Sequence, residues 1–443
     1  MASDMLQIGS SGLRAAQAAL DVTSQNIANA STSGYVKRSV SLSELSSTGM
    51  GSTRGVVSQW GVQVTGINRN VDTVAQSEMR RTGSAAAAAD TLVTGLTSVN
   101  DAVENSGVYS SITNFQSALS KLAASPADSS LRANVLSAAS AMAQSFNTAS
   151  TSLAATQSGF AQTASDGVTQ VNTLATNLAK LNLSIASNSD PDTQANLLDQ
   201  RDSMLQQLSQ YGDVTTTIAS NGTVNVQMGG ASGPMLVTGS TASTLAMSQD
   251  STGAISYTLG GSALTLSGGS LAGTQSAMAA SISAGTSLDS IASQLMTTVN
   301  TAQASGVAYD GTAGQPMFSG TGAGSMAVAL TSGSQVAAAA AGSGANSNDA
   351  TNVNALISSM GSVDIAGQTN SLLYNLSSAV QSNTATRDTL DTIATNAKNV
   401  VAGQSAVSLD DEAANLVRYQ QAYQASAKVI SVAQTLFNQL LQI

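Results

Sequence analysis

Apolar residues recur every seven positions at both ends of the chain. A seven-residue repeat on a helix of about 3.6 residues per turn makes an apolar stripe that rotates slowly around the axis, which is typical of a helix that packs along a partner helix. The pattern therefore predicts a long amphipathic helix at each end. The stripe residues are Leu6, Leu13, Leu20 and Ile27 in the first helix and Leu409, Leu416, Tyr423, Ile430 and Phe437 in the last.

The two stripes allow two interpretations. The helices either pack against each other within one core, or each stripe stays available to neighbouring subunits. A single pair of helices with many alanines buries little apolar area, so such a pair is marginally stable by itself. We therefore favour an assembly, and the stripe residues are its candidate interface.

Local signals mark the inner ends of these terminal helices. Polar, turn-prone residues follow Ala30, so the first helix is expected to end near that position. Ser408 is a candidate N-cap for the last helix. Acidic residues follow it in the first turn, where the helix dipole favours negative charge.

The chain between the terminal helices changes its period several times. Residues 36–70 contain short alternating runs, which predict an extended arm with one or two short strands. Helical spacing follows, with a long helix over most of 131–187 and a new helix that begins at Asp190–Pro191. Strict alternation then appears over 213–272, which predicts a small antiparallel β domain inserted between helices.

A further helix is expected beyond the β domain, over residues 275–303. The glycine-, alanine- and serine-rich residues 304–350 are expected to be irregular. Their glycines, such as those from Gly320 to Gly324, do not sit between a strand and a helix that carries a lysine, so they are poor candidates for phosphate binding.

Composition limits the chemistry that the chain can perform. The 443 residues include neither histidine nor cysteine. This excludes histidine-dependent triads, thiol nucleophiles and disulfides, and it leaves a transition-metal site with carboxylates alone. We therefore expect no cofactor. Asp199, Arg201 and Asp202 could suggest an active site, but a solvated or interhelical ion pair explains them better.

Charge is sparse, at 9% of the residues with a net charge of −10. No lysine or arginine lies between Arg201 and Arg387, so this region cannot neutralise phosphates and no nucleic-acid partner is expected. No apolar run approaches the roughly 20 residues that cross a bilayer, so no membrane insertion is expected. The start lacks the apolar core of a secretory signal, which predicts a cytoplasmic protein or export without a cleaved signal peptide.

Both ends of the chain carry a resemblance to a known family. The first segment, residues 12–40, reads GLRAAQAALDVTSQNIANASTSGYVKRSV, and the second, residues 408–441, reads SLDDEAANLVRYQQAYQASAKVISVAQTLFNQLL. They resemble the terminal motifs of the bacterial flagellar rod, hook and hook-associated axial proteins. Interior segments at 61–81, 112–136 and 196–214 are similar to the hook-associated members at the hook–filament junction.

The patterns and the resemblance together imply a mainly α fold with an inserted β domain. The terminal helices form a coiled-coil-like layer, long helices form a bundle core, and the small antiparallel β domain lies outermost. The domains are discontinuous, because both terminal motifs belong to one unit. The expected boundaries are 1–70 with 400–443 for the terminal assembly domain and its arm, 71–212 with 273–399 for the bundle, and 213–272 for the β domain.

The resemblance also implies a function. We expect a structural component of the flagellum, not an enzyme, which joins hook to filament by self-assembly through its terminal helices. The implied partners are like subunits, hook protein on one side and the next hook-associated protein on the other, with an export chaperone at the C-terminal helix. The implied location is the extracellular flagellum, reached through the flagellar type III apparatus.

Two alternatives stay open. The nearer is another axial protein, such as a hook or rod component, which would be expected to be rich in β structure. The distant one is a secreted hydrolase of the cell wall that uses carboxylates. Such an enzyme needs two acidic groups about 5–10 Å apart in a cleft, whereas the interior aspartates are scattered along the chain.

Overall fold

The structure is a computed structural model that describes residues 2–32, 34–45, 61–188 and 190–441. Helices dominate, as predicted from the mainly α pattern. They are α1 (Ala2–Ala28), α2 (Thr73–Glu104), α3 (Val108–Ala124), α4 (Ser129–Ser187), α5 (Pro191–Tyr211), α6 (Gly269–Ala304), α7 (Thr351–Val363), α8 (Ile365–Ser405) and α9 (Leu409–Leu441).

The strands form small antiparallel sheets. A hairpin joins β1 (Arg38–Glu44) to β2 (Val62–Arg69). A second sheet has the order β3-β4-β5-β6, and a third has the order β7-β8-β9. These strands are β3 (Val214–Ile218), β4 (Val224–Met228), β5 (Met235–Thr238), β6 (Thr241–Ala242), β7 (Leu245–Gln249), β8 (Ile255–Leu259) and β9 (Ser262–Leu264).

Residues 304–350 are largely irregular, as expected. Their regular structure consists of short 3₁₀ turns and the two-residue strands β10 (Gly306–Val307), β11 (Phe318–Ser319), β12 (Ala327–Val328) and β13 (Ala339–Ala340). The strands pair as β10 with β13 and β11 with β12.

Several local predictions are confirmed. The Asp190 side chain caps α5 by accepting a hydrogen bond from the Thr193 backbone N–H at 2.9 Å, and Pro191 occupies the first turn. Ser408 Oγ accepts a hydrogen bond from the Asp411 N–H at 3.4 Å at the start of α9. The predicted arm contains the β1–β2 hairpin, and its residues 46–60 lie outside the described residues.

The chain divides into two compact units. Unit 1 consists of Met1–Gly83, Asn172–Thr244 and Thr392–Ile443, and unit 2 consists of Ser84–Val171 and Leu245–Asp391. Strands β3 to β6 belong to unit 1, whereas β7 to β9 belong to unit 2. The boundaries of the three domains expected from the sequence stay a prediction.

Unit 2 has a core of large apolar side chains. Phe115, Phe146 and Leu288, from α3, α4 and α6, are fully buried. The Phe115 ring meets the Phe318 ring edge to face, with 6.1 Å between their centroids. The edge-to-face geometry is favourable because the positive edge of one ring meets the negative face of the other.

Unit 1 contains the β3–β6 sheet and the end of α4. Asn182 of α4 is buried, and its Nδ2 donates to the carbonyls of Val224 at 2.8 Å and Gly239 at 2.7 Å. The Val224 N–H in turn donates to Asn182 Oδ1 at 3.0 Å. One side chain thereby replaces missing backbone partners and ties the helix to the sheet.

Candidate assembly site

The terminal helices α1 and α9 pack along each other within unit 1, and small residues of α1 allow the close approach. An ideal Cβ built at Gly9 would lie 2.8 Å from Ile430 Cγ1, and one at Gly12 would lie 3.0 Å from Ser426 Oγ. A side chain at Gly9 would therefore displace the Ile430 side chain, and one at Gly12 would press against the Ser426 hydroxyl. The buried apolar residues of α1 are Ala15, Ala16, Ala19 and Val22.

The residues of the predicted stripes border this contact. The four stripe residues of α1 are half-buried, as are Leu416 and Ile430 of α9. The other three are more exposed, with exposed fractions of 55% for Leu409, 36% for Tyr423 and 48% for Phe437. The two terminal helices do pair within one chain, and the role of the stripes in assembly stays a prediction.

A second apolar face of α9 escaped the sequence analysis. Val429, Val432 and Leu436 are exposed, and they are spaced by three and four residues. This spacing places them on one side of a helix, and a search for it would have found them. The residues of the seven-residue repeat lie on the side of α9 that borders α1. Met5 and Ile8 of α1 are exposed as well.

A buried ion network fixes the β1–β2 hairpin to α5. Arg38 of β1 lies 2.7 Å from Asp199, and Arg69 of β2 contacts Asp199 at 2.6 Å and Asp202 at 2.7 Å. Arg201 completes the network with a 2.6 Å contact to Asp202. All five side chains are at most 13% exposed.

This network corrects the interpretation of the charged triplet on α5. The sequence suggested a solvated or interhelical ion pair, whereas Asp199 and Asp202 are largely buried and their partners on the hairpin lie on strands. Burial by itself would raise the pKa of Asp202, but the positive charges of Arg201 and Arg69 outweigh burial and hold that pKa below its usual value. The strand arginines are remote in sequence, so local charge patterns could not reveal them.

Asn26, near the end of α1, connects α1 to β1. Its Oδ1 accepts hydrogen bonds from the Arg38 backbone N–H at 3.0 Å and from the Tyr35 hydroxyl at 2.9 Å. Its Nδ2 donates to the Arg38 carbonyl at 2.9 Å and to Glu412 Oε2 at 3.2 Å. Burial raises the pKa of Tyr35, so its hydroxyl keeps the proton that it donates.

Glu412 connects the first turn of α9 to the same place. Its side chain is only 2% exposed, and its Oε1 lies 3.1 Å from Lys37 Nζ. The end of α8 joins this junction through its carbonyls, since the Lys37 N–H donates to Ser405 at 3.0 Å and Asn70 Nδ2 donates to Gln404 at 2.7 Å. The ends of α1 and α8, the start of α9 and the base of the hairpin therefore meet at one polar junction.

The chemistry of this arrangement is that of a structural junction. Among the residues that the structure describes, no cluster of three or more acidic side chains is placed to hold a metal ion. Over the same residues, no helix combines the length and the apolar character needed to cross a membrane. What the site offers is a pair of helices held in register by buried polar contacts, with apolar side chains left on its surface.

Three family models of flagellar proteins match this chain. The model of the helical domain of flagellar hook-associated protein FlgK matches residues 93–318. The model of flagella basal body rod proteins matches residues 6–35, within and just after α1. The C-terminal model of the flagellar basal body rod FlgEFG proteins matches residues 403–443, which include α9.

The chain is also similar to individual proteins. It is 29% identical to flagellar hook-associated protein 1 of Salmonella typhimurium, over 55% of this chain and 44% of that protein. The chain thus spans about half the length of this relative. It is 26% identical to flagellar hook-associated protein 1 of Bacillus subtilis, over 98% of this chain and 97% of that protein. Among solved structures, the flagellar hook junction protein FlgK from Burkholderia pseudomallei matches with a TM-score of 0.50 at 26% identity, over 55% of this chain and 46% of that chain.

Proposed function

Because the chain belongs to the flagellar hook-associated protein FlgK family, we propose that it is a structural component of the bacterial flagellum that joins the hook to the filament. The observation that carries the proposal is the pairing of α1 and α9 within unit 1. These are the segments that match the rod-protein models, so the parts shared with other axial proteins form one site.

We propose that residues 1–70 and 400–443 act as the assembly domain. The polar junction around Asn26 and Glu412 sets the register of the two helices, so that the apolar residues of α9 are presented as one surface. Covering each large apolar side chain contributes about 1.5–3 kcal/mol at most. A neighbouring subunit that covers several of them therefore gains enough to drive self-assembly.

The shared terminal segments also account for the proposed partners. These are like subunits, hook protein on one side and the next hook-associated protein on the other. Axial proteins that share these terminal helices can form one continuous helical layer from hook to junction, because each subunit presents the same kind of apolar face to its neighbours. An export chaperone that covers the exposed side of α9 would keep this face from aggregating before assembly.

The proposed location is the extracellular flagellum, reached by type III export without a cleaved signal peptide. The hook-and-rod alternative predicts a chain rich in β structure, whereas helices dominate here, which favours the junction role. The hydrolase alternative has less support, because Asp199 and Asp202 are already paired with arginines.

Deletion of the gene followed by electron microscopy tests the proposal. Cells without the protein are expected to carry bare hooks and to lose filament protein to the medium, and the wild-type gene is expected to restore filaments. Normal filaments in the deletion strain would show that the proposal is wrong. Loss of the hook itself would favour a hook or rod component instead.

A further inference from the structure

The polar junction brings together an amine, a carboxamide and a buried carboxylate. Glu412 Oε1 lies 3.1 Å from Lys37 Nζ, and Glu412 Oε2 lies 3.2 Å from Asn26 Nδ2. The Glu412 and Asn26 side chains are buried, whereas the Lys37 side chain is 27% exposed. The amine and the carboxamide therefore share one carboxylate, with one nitrogen atom on each of its oxygens.

We propose that Lys37 and Asn26 join through an intramolecular amide bond. The uncharged Lys37 Nζ attacks Asn26 Cγ, so that a new N–C bond forms and the Cγ–Nδ2 bond breaks. The asparagine nitrogen leaves as ammonia, which takes up the remaining proton and departs as ammonium. The reaction neither oxidises nor reduces either residue, and it consumes no co-reactant.

Glu412 is placed to carry out the proton transfers. Its carboxylate first accepts a proton from the Lys37 ammonium, which produces the nucleophilic amine, and it then gives a proton to Asn26 Nδ2 as that nitrogen leaves. A single carboxylate that touches both nitrogen atoms can serve both steps.

The carbonyl of Asn26 is held by donors that suit the reaction. Its Oδ1 accepts from the Tyr35 hydroxyl at 2.9 Å and from the Arg38 N–H at 3.0 Å, and both donors stabilise negative charge that develops on this oxygen during attack. The contact from Nδ2 to the Arg38 carbonyl fixes the plane of the amide. The flexible Lys37 side chain then needs only to bring Nζ to the attack distance of about 3–3.5 Å.

The bond would tie the last turns of α1 to the base of the hairpin. It would replace a set of separate hydrogen bonds at the junction by a covalent link that unfolding cannot break. The inference does not depend on the proposed function, since the link is detected in the purified chain without any flagellum. Failure of one therefore leaves the other standing.

Intact-mass spectrometry of the purified full chain tests the proposal. The expected species is lighter than the sequence mass by one ammonia. Trypsin should not cleave after a linked Lys37, so the digest is expected to contain residues 15–38 as one peptide that lacks the same mass. Fragmentation of this peptide should release no backbone fragments from between Asn26 and Lys37.

Variants separate this reaction from other losses of ammonia. Lys37→Arg keeps a positive charge beside Glu412 but removes the amine, and Glu412→Gln removes the base, so both are expected to show the full mass. Lys428→Arg, an exposed lysine of α9, is the matched control and is expected to keep the deficit. The Asn221–Gly222 pair can also lose ammonia by ring closure, but that loss would survive Lys37→Arg.

Two results would overturn the proposal. One is the full sequence mass in the wild-type chain, measured both free and polymerised and after incubation at neutral and alkaline pH. The other is a wild-type mass deficit that persists undiminished in Lys37→Arg. The tryptic peptide of the wild-type chain decides the matter even where a variant fails to fold.

Discussion

At the scale of single residues, buried polar side chains stabilise the junction of unit 1 at which α1, α9 and the β1–β2 hairpin meet. Asn26 satisfies both of its polar atoms, and Glu412 serves two partners from a position that is almost closed to solvent. A buried polar group without a partner lowers the free energy of unfolding by its full desolvation penalty. Loss of one partner therefore costs more than the bond itself contributes.

Asp202→Asn is the sharpest residue-scale test of the ion network. The variant is expected to lower the free energy of unfolding at neutral pH by about 2–4 kcal/mol, because Arg69 and Arg201 lose a buried ionic partner. The pKa of Asp202 is lowered in the folded chain, so this stabilisation is present above the ordinary pKa of aspartate and is lost as pH falls through the lowered pKa.

Urea unfolding from neutral to acid pH measures this effect. The free energy of unfolding of Asp202→Asn should fall less steeply with acid than that of the wild type. Asp411→Asn, at an exposed acid on α9, is the control and should follow the wild type. Equal acid sensitivity in wild type and Asp202→Asn would contradict the assignment.

Residue-scale reasoning from the sequence reached only part of this network. The sequence predicts a structural role for the charged triplet on α5, because no histidine or cysteine that could act as a base or metal ligand lies near it in the chain. Its partners Arg38 and Arg69 lie more than a hundred positions away, and the hydrogen bonds that join them depend on tertiary folding. Burial of the acids follows from the same long-range contacts, which a local pattern does not contain.

At the scale of elements, α1 and α9 meet through small residues, and the leucine stripe lies beside the contact. The seven-residue repeat predicted both helices but left open whether they pack against each other or against neighbouring subunits. It did not predict that Gly9 and Gly12 would set the closest approach, because glycine carries no hydrophobic signal. Helix caps such as Asp190 were predictable, since a cap depends only on neighbouring residues.

Gly9→Val tests the close approach of these helices. An ideal Cβ at Gly9 would lie 2.8 Å from Ile430 Cγ1, whereas one at Gly403 of α8 meets open space among the described residues. Gly403→Val therefore carries the same change in helix propensity without the clash. The free energy of unfolding should fall by about 1–3 kcal/mol more for Gly9→Val than for Gly403→Val. Equal values in denaturant unfolding would mean that α9 shifts freely away.

Val432→Asp and Leu436→Asp test the exposed face of α9. Both residues are about 40% exposed, at 42% and 43%, so the folded monomer should tolerate the change while assembly loses apolar contact and gains a buried charge. Expected results are a wild-type circular dichroism spectrum and few or no filaments in the complemented deletion strain. Gln434→Asp, at an exposed polar position of α9, should restore filaments. Full filaments from the Val432→Asp and Leu436→Asp chains would exclude this face from the interface.

At the scale of the whole molecule, charge is divided unevenly between the two units. Unit 1 holds twelve basic and thirteen acidic residues, whereas unit 2 holds three basic and twelve acidic residues. Unit 2 therefore carries nine of the ten net negative charges. The sequence showed the stretch without lysine or arginine, but the assignment of charge to a unit needed the fold, since each unit collects separate stretches of chain.

The alternating strands of 213–272 illustrate the same limit, because alternation predicts strands without saying which of them share a sheet.

This division predicts how salt affects polymerisation. When copies assemble through unit 1, the acidic unit 2 of each copy repels unit 2 of its neighbours. Salt weakens this repulsion, because the screening length is about 10 Å at 0.1 M. The critical concentration for polymerisation in vitro is therefore expected to fall as sodium chloride is added.

Charge-neutral variants identify the source of this salt dependence. Asp101→Asn with Asp391→Asn removes two exposed charges of unit 2 and should lower the critical concentration at low salt while flattening its salt dependence. Glu44→Gln removes an exposed charge of the balanced unit 1 and should change both less. A critical concentration that rises with salt would mean that attraction between opposite charges, and not repulsion between units 2, controls the polymer. Sedimentation of polymer from monomer across a series of salt concentrations distinguishes the two cases, because repulsion and attraction change the critical concentration in opposite directions.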